Sequence, residues 1–149
     1  NEQAEFEVLL ENYFDLLNVI ILRFFFVYGK GQNQSMLIPR LISRVKDGES
    51  ITLQGQSGMK INPVHVSDAT KAIIASLNLQ GSHKLNVAGP EVLSLREIGE
   101  KIGTAVGRIP QFSIDETIVP KNLIGDLSKM KELLINPSIK FEDGIKTMI

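Results

Sequence analysis

Few residues in this chain are of a type and spacing that could do chemistry. The two histidines, His65 and His83, stand apart, and neither belongs to a His-Glu-x-x-His pattern or to an Asp/His cluster with metal-ligand spacing, so no metal site is expected. Cysteine is absent, which excludes disulfides, thiolate zinc sites and thiol catalysis and fits a reducing cytoplasm. There is no Gly-x-Ser-x-Gly, hence no hydrolase nucleophile elbow. Gly29-Lys-Gly31 and Gly55-Gln-Ser-Gly58 lack the longer glycine spacings that cradle phosphates. Glu142-Asp143 is a carboxylate pair, but its helical surroundings make it a solvated surface. No residue is therefore assigned as a catalytic acid, base or nucleophile.

The elements around these residues are easier to read. From Val19 to Val27 every residue is apolar except Arg23, and Gly29 and Gly31 end the run. A strand open on one face would alternate; this run reads as a strand covered on both faces, as in a parallel sheet flanked by helices. It needs neighbouring strands, yet only a helix-like stretch, Asn1–Leu17, with Phe6, Leu9, Leu10, Tyr13 and Leu17 on one stripe, comes before it. The chain thus reads as the back half of something larger. A second helix carries Leu37, Ile38, Leu41, Ile42 and Val45, with Pro39 in its first turn. Ser50–Leu53 is a short strand, and Ile61–Val66 is extended because Pro63 disfavours helix at Asn62. Ser67 or Asp68 should cap a helix over Ala69–Leu77. Lys84–Ala88 is a further buried strand. Ser94-Leu-Arg-Glu97 is a capping box, with Leu93 and Ile98 as its staple and Gly107 as the helix stop. Ile109–Pro120 reads as irregular or partly extended. Asp126 should cap a helix through Leu134, and Phe141–Met148 forms a last short one.

At 149 residues, 43% hydrophobic and 22% charged, the chain is globular and of single-domain size. A net charge of -1 gives no general attraction to nucleic acid or anionic lipid. The Val19 run is too short to span a membrane. Neither a nucleic-acid nor a membrane partner is expected.

Several segments together resemble the extended short-chain dehydrogenase/reductases, the NAD-dependent epimerase/dehydratase family. Leu22-Arg-Phe-Phe-Phe-Val-Tyr-Gly-Lys-Gly-Gln32 is similar to that family's Leu-Arg-x-x-Asn-Val-Tyr-Gly-Pro-Gly-Gln segment. Gly55–Ala72 resembles its Gly-x-Gly-x-x-x-Arg-Asp-x-x-His/Tyr-Val-x-Asp-x-x-x-Ala stretch. Leu85-Asn-Val-Ala-Gly89 with Val92–Ile98 is similar to its Tyr-Asn-Val-Gly strand and the capped helix after it. Gly125–Leu134, Pro137 and Phe141–Ile145 resemble its C-terminal pattern. The matches fall in collinear order over nearly the whole chain.

The resemblance implies an α/β fold: the C-terminal part of a Rossmann-like protein, with residues 1–29 closing the dinucleotide-binding domain. Residues 30–149 would then be mainly the smaller mixed α/β substrate domain, with Leu85–Ala88 returning to the main sheet. It implies NAD, or NADP, bound mainly by a preceding N-terminal part, and a sugar or nucleotide-sugar-like substrate. Phe24 and Phe25 would border the nicotinamide. Phe26, Gln32, Met36, Leu37, Lys60 and Asn62 would border the substrate. A homodimeric parent pairing through helices such as Phe6–Leu17 is a further implication. No Tyr-x-x-x-Lys precedes Val19, so the chain alone should be inactive. Departures from the family pattern are Phe26 for Asn, Ile61-Asn62 for Arg-Asp and Lys30 for Pro. They point to a divergent substrate or a more apolar pocket, with a non-catalytic NAD-binding or interaction module as the alternative. Each residue also has a plainer reading: the three rings as core, Arg23 held by a carboxylate or carbonyls, Lys60 as a turn lysine, His65 as a structural histidine, Asp68 as a cap.

Overall fold

The apolar run from Val19 does not form one strand. In the computed structural model, which describes residues Asn1–Ile149, it splits into β1 (Ile20–Phe24) and β2 (Val27–Tyr28). The break falls at Phe26, whose φ of 47° is left-handed, a conformation costly for a bulky residue. The kink lets one run serve two sheets. β1 pairs in parallel with β6 (His83–Val87), Ile20 opposite His83 and Phe24 opposite Val87. β2 pairs in parallel with β5 (Val64–His65).

The full order is α1 (Glu2–Glu11), β1, β2, α2 (Leu37–Asp47), β3 (Ser50–Gln54), β4 (Lys60–Ile61), β5, α3 (Val66–Ser76), β6, β7 (Leu93–Ser94), α4 (Leu95–Val106), β8 (Gln111–Asp115), α5 (Ser128–Leu133), α6 (Phe141–Ile145) and a closing 3-10 turn. β3 pairs in parallel with β8, and β4 antiparallel with β7. The extended part of Ile109–Pro120 is β8, a regular strand because β3 offers it a full ladder from Ser50–Gln111 to Gln54–Asp115.

The larger core lies where α2, α4 and α6 meet β3. Ile38, Leu41 and Val45 face Ile51 and Leu53, with Ile98, Ile102, Tyr28 and Phe141 closing it. β3 alternates as a half-buried strand should, Ile51 and Leu53 inward and Thr52 outward. A smaller core joins Val64, Ala69, Ala72, Val87 and Met130.

β1 is only partly covered. Ile21 is buried, but Phe24 is 41% exposed, and β6 is its single strand neighbour. α1 stops at Glu11, short of the expected Leu17, and buries none of its residues. It is held by charge: Arg23 Nε donates to Glu7 at 2.9 and 3.0 Å, and Lys84 pairs with Glu7 at 3.8 Å and with Glu11. Arg23 is thus held by a carboxylate, and that bond is the main cause that lowers the Glu7 carboxyl below its ordinary range.

The capping box forms in full. Ser94 Oγ accepts from Glu97 N at 3.2 Å and the Glu97 carboxylate accepts from Ser94 N at 2.7 Å. The stop is Gly107, in the left-handed region. Leu93 and Ile98 are both buried in the main core. Ser94→Ala should cost about 1 kcal/mol in a urea melt, because one helix-end N–H loses its acceptor. The Ser94 bonds also lower the Glu97 carboxyl. Its contribution is complete above the ordinary carboxylate value of 4.5 and fades as pH falls below it.

α3 differs from expectation. It starts at Val66, and its cap is His65, whose Nδ1 accepts from Ser67 N at 3.2 Å. Asp68 does not cap its own helix. Its Oδ2 reaches the far end of the chain and accepts from Ser138 N at 2.8 Å and Ile139 N at 2.9 Å. Asp126 does not cap α5 either. The cap position is Leu127, which offers no side-chain bond, and Asp126 sits one residue earlier, where its Oδ1 accepts from Ser128 N at 2.7 Å. The helix ends at Leu133, one residue short of the expected Leu134.

Candidate functional site

Four of the residues singled out from sequence, Phe25, Phe26, Lys60 and Asn62, meet at the stretch Lys60–Val64. Pro63 keeps this stretch extended, so its backbone groups are free to bond sideways. On one flank runs Asn122–Gly125. Lys60 N donates to Asn122 Oδ1, and Leu123 N donates to the Lys60 carbonyl, both at 2.9 Å. On the other flank is the turn after β6, where Gly89 N donates to the Asn62 carbonyl at 2.9 Å.

Asn62 joins both flanks. Its Oδ1 accepts from Gly125 N at 2.8 Å and its Nδ2 donates to the Gly125 carbonyl at 2.9 Å. The residue is 1% exposed. Expected as a substrate contact, Asn62 instead spends its amide on the backbone of Gly125. Gly125 in turn lies against the Phe25 ring: a Cβ built there would sit 2.9 Å from Phe25 Cδ2 and 3.0 Å from Ala88 Cβ. Phe25, Gly125, Asn62 and Lys60 are therefore one connected unit.

Phe24 and Phe25 line a cleft of about 550 Å³ between α1 and β1, whose other walls include Phe6, Leu10 and Ile20. Phe25 N donates to the Val87 carbonyl at 2.9 Å, extending the β1–β6 ladder by one rung. Phe26 turns the other way and packs against the main core, with its carbonyl accepting from Val64 N at 3.3 Å.

The remaining candidates do not share that cleft. Gln32 borders a smaller cavity of about 250 Å³ with Lys30 and Val66. Its Nε2 donates to the Val27 carbonyl at 2.7 Å, and its buried Oε1 has no partner. Met36 is 50% exposed at the start of α2, while Leu37 leans on the core beside Arg40, Arg44 and Thr52. Lys60 is exposed, as is Lys121 on the adjoining segment. The Lys60 charge reaches Glu97, where it adds slightly to the lowering caused by Ser94.

His65 is a structural histidine. Its Nδ1 accepts at the α3 cap, so the proton lies on Nε2, which is 3.3 Å from Thr147 Oγ1. Burial lowers its pKa below the ordinary value. No group of His, Asp or Glu side chains is arranged to hold a metal ion. No helix is long and apolar enough to cross a membrane.

Sequence reasoning missed Asn122 and Leu123 as partners of Lys60, Gly125 as the partner of Asn62, and Glu91, whose carboxylate accepts from Phe141 N at 2.7 Å. Their partners are far away in the chain, and no local pattern marks them.

A model of the NAD dependent epimerase/dehydratase family matches residues 3–88. The chain belongs to this family. It is 31% identical over 137 residues to an uncharacterized UDP-glucose epimerase, YtcB, of Bacillus subtilis (strain 168), covering 88% of this chain and 43% of the relative. It is 29% identical over 124 residues to a dTDP-4-dehydro-6-deoxy-D-allose reductase of a Streptomyces species, covering 78% of this chain and 38% of that one. Among solved structures, UDP-glucuronic acid 4-epimerase from Bacillus cereus, in complex with UDP-glucuronic acid and NAD, superposes with a TM-score of 0.81 at 25% identity, over 95% of this chain and 48% of that one. The chain spans less than half the length of the curated relatives it matches. The mixed α/β architecture with parallel strand pairs is the fold of these extended epimerases.

Proposed function

We propose that this family member is the C-terminal, substrate-binding half of an NAD-dependent epimerase/dehydratase acting on a nucleotide sugar. The observation that carries the reading is the unit running from the Phe25 ring through Gly125 and Asn62 to Lys60. It puts an apolar aromatic wall at one end and the exposed ammonium of Lys60 at the other. A flat ring suits the first and a diphosphate the second, because an ammonium attracts phosphate as a point charge. Phe24 is the outer part of the wall, and Gln32, Met36 and Leu37 border the substrate from the β2–α2 side. Phe26 packs onto the core and offers no amide to that side.

Residues 1–29 belong to the dinucleotide-binding domain, and the unpaired edge of β1 is where its remaining strands would continue the sheet. NAD, or NADP, would supply a hydride acceptor against the Phe24–Phe25 wall. The chain's own contribution is to bind and orient the substrate. The proton-transfer group and the glycine-rich loop belong to the preceding half, so residues 1–149 alone do not turn over substrate. The exposed Phe6, Leu9 and Leu17 of the α1 region fit a helix-pairing dimer of the whole protein, and a cysteine-free chain suits the cytoplasm. A non-catalytic module is the second reading, favoured by Phe26 turning onto the core.

Titration of the purified chain with UDP-glucuronic acid tests the proposal. Binding should weaken about tenfold or more in Lys60→Ala, a loss of about 1.4 kcal/mol. Equal affinity in both proteins, no binding by the unmodified chain at millimolar ligand, or NAD-dependent turnover by residues 1–149 alone would each overturn it.

A further inference from the structure

We infer that Asn62 is a positioning residue whose carboxamide, by donating and accepting at once, locks Gly125 beneath Phe25 and so fixes the aromatic wall relative to the Lys60 edge. The pair of bonds copies a sheet rung: one side chain satisfies both the N–H and the carbonyl of a single residue. Only an amide does this. A carboxylate accepts but does not donate, and a hydroxyl is too short to span both groups. The site is closed to water, since Asn62 is 1% exposed and Gly125 is buried, so a lost partner leaves a bare backbone group rather than a hydrated one.

The lock has further consequences because Asn62 is pinned from behind. Gly89 N bonds its carbonyl, and Lys60, two residues earlier, bonds both Asn122 and Leu123. Three stretches distant in sequence, around Phe25, Asn62 and Gly125, therefore move together or not at all. That the lock serves a ligand rests on the proposed reading of the Phe25 wall and Lys60 edge as two ends of one site; the lock itself does not.

Asn62→Asp separates a donor requirement from mere bulk. At about pH 7.5 the new carboxylate can still accept from Gly125 N but repels the Gly125 carbonyl, and that repulsion drives the buried pair apart, while at about pH 4 a buried carboxyl is protonated and donates again. Hydrogen exchange, expressed as protection relative to the unmodified chain at the same pH, should show Gly125 and Leu123 amides losing about tenfold or more at the higher pH and recovering at the lower. Asn62→Ala should stay unprotected at both, and the α4 amides should be unchanged in both variants. UDP-glucuronic acid affinity of Asn62→Asp should follow the same pH pattern.

In the unmodified chain, one Nδ2 proton of Asn62 should exchange far more slowly than those of the exposed Asn33; this readout needs no variant to fold. A fast Nδ2 proton, an Asn62→Asp protein with unmodified protection at both pH values, or a loss spread equally over α4 would overturn the inference. If the unmodified chain fails to bind UDP-glucuronic acid, the functional reading falls, and the exchange data still judge the lock.

Discussion

Gly89→Ala should cost about 3 kcal/mol or more in a urea melt, near the upper end for a single added methyl. The cause is a collision with backbone rather than with a side chain that could turn aside. A Cβ on Gly89 would lie 1.8 Å from the Pro63 carbonyl oxygen, 2.7 Å from its carbon and 3.3 Å from Val64 N. None of these atoms can move alone. Pro63 has a fixed φ, Val64 N is bonded to the Phe26 carbonyl, and Gly89 N is bonded to Asn62. Relief requires the turn after β6 to separate from the Asn62 stretch, which opens the candidate site as well as the smaller core. The expected result is a large fall in the urea midpoint together with lost protection at Gly125. A stability within about 0.5 kcal/mol of the unmodified chain, the range of a neutral surface change, would show that the two stretches are not in this close contact.

How much was legible beforehand depends on whether the signal was local. The capping box at Ser94 and Glu97 was readable because four consecutive residues carry both halves of it. The α2 stripe was readable because its period matches the helix and all its members face one core. The family pattern was readable because its motifs keep their order along the chain. The run Val19–Val27 misled because continuous hydrophobicity says nothing of backbone direction. The run supplies all of β1 and the first residue of β2, strands of two different sheets, and the left-handed turn at Phe26 between them leaves no trace in an apolar pattern. One sign was available: the resembled family carries Asn at that position, and Asn tolerates the left-handed region far better than most residues. The departure at Phe26 therefore bears on backbone strain as much as on a lost hydrogen bond. Asp68 misled for the opposite reason. A carboxylate at a helix start usually caps its own helix, but here His65 already takes that role, and Asp68 is free to bond a segment some seventy residues on.

That long bond carries the second large effect. Asp68→Ala should cost about 3 kcal/mol, because one carboxylate oxygen accepts from both Ser138 N and Ile139 N, and bonds to charged groups are the stronger kind. Asp68 is 1% exposed, so water does not replace it freely. The loss should be focused on the C-terminal end. Ser138 and Ile139 lead into Phe141 and Ile145, which fill the core beside Tyr28, and their exchange protection should fall before that of β3 and β8. Asp68→Asn keeps an accepting oxygen and should lose much less. Its pH response also has a definite sign. Burial holds the His65 pKa below its ordinary value of 6.5, and the Asp68 charge works against that depression. Protonating His65 removes the acceptor for Ser67 N, so the folded chain binds that proton less readily than the unfolded one. Stability from this group is complete above about pH 6.5 and falls as the solution is acidified. Without the Asp68 charge the folded pKa drops further, so Asp68→Asn should lose stability more steeply between about pH 6.5 and pH 5 than the unmodified chain does. Parallel pH profiles for the two proteins would mean that Asp68 and His65 do not sense each other. An Asp68→Ala chain with an intact C-terminal end would mean that the packing of Phe141 and Ile145 holds the segment without the carboxylate.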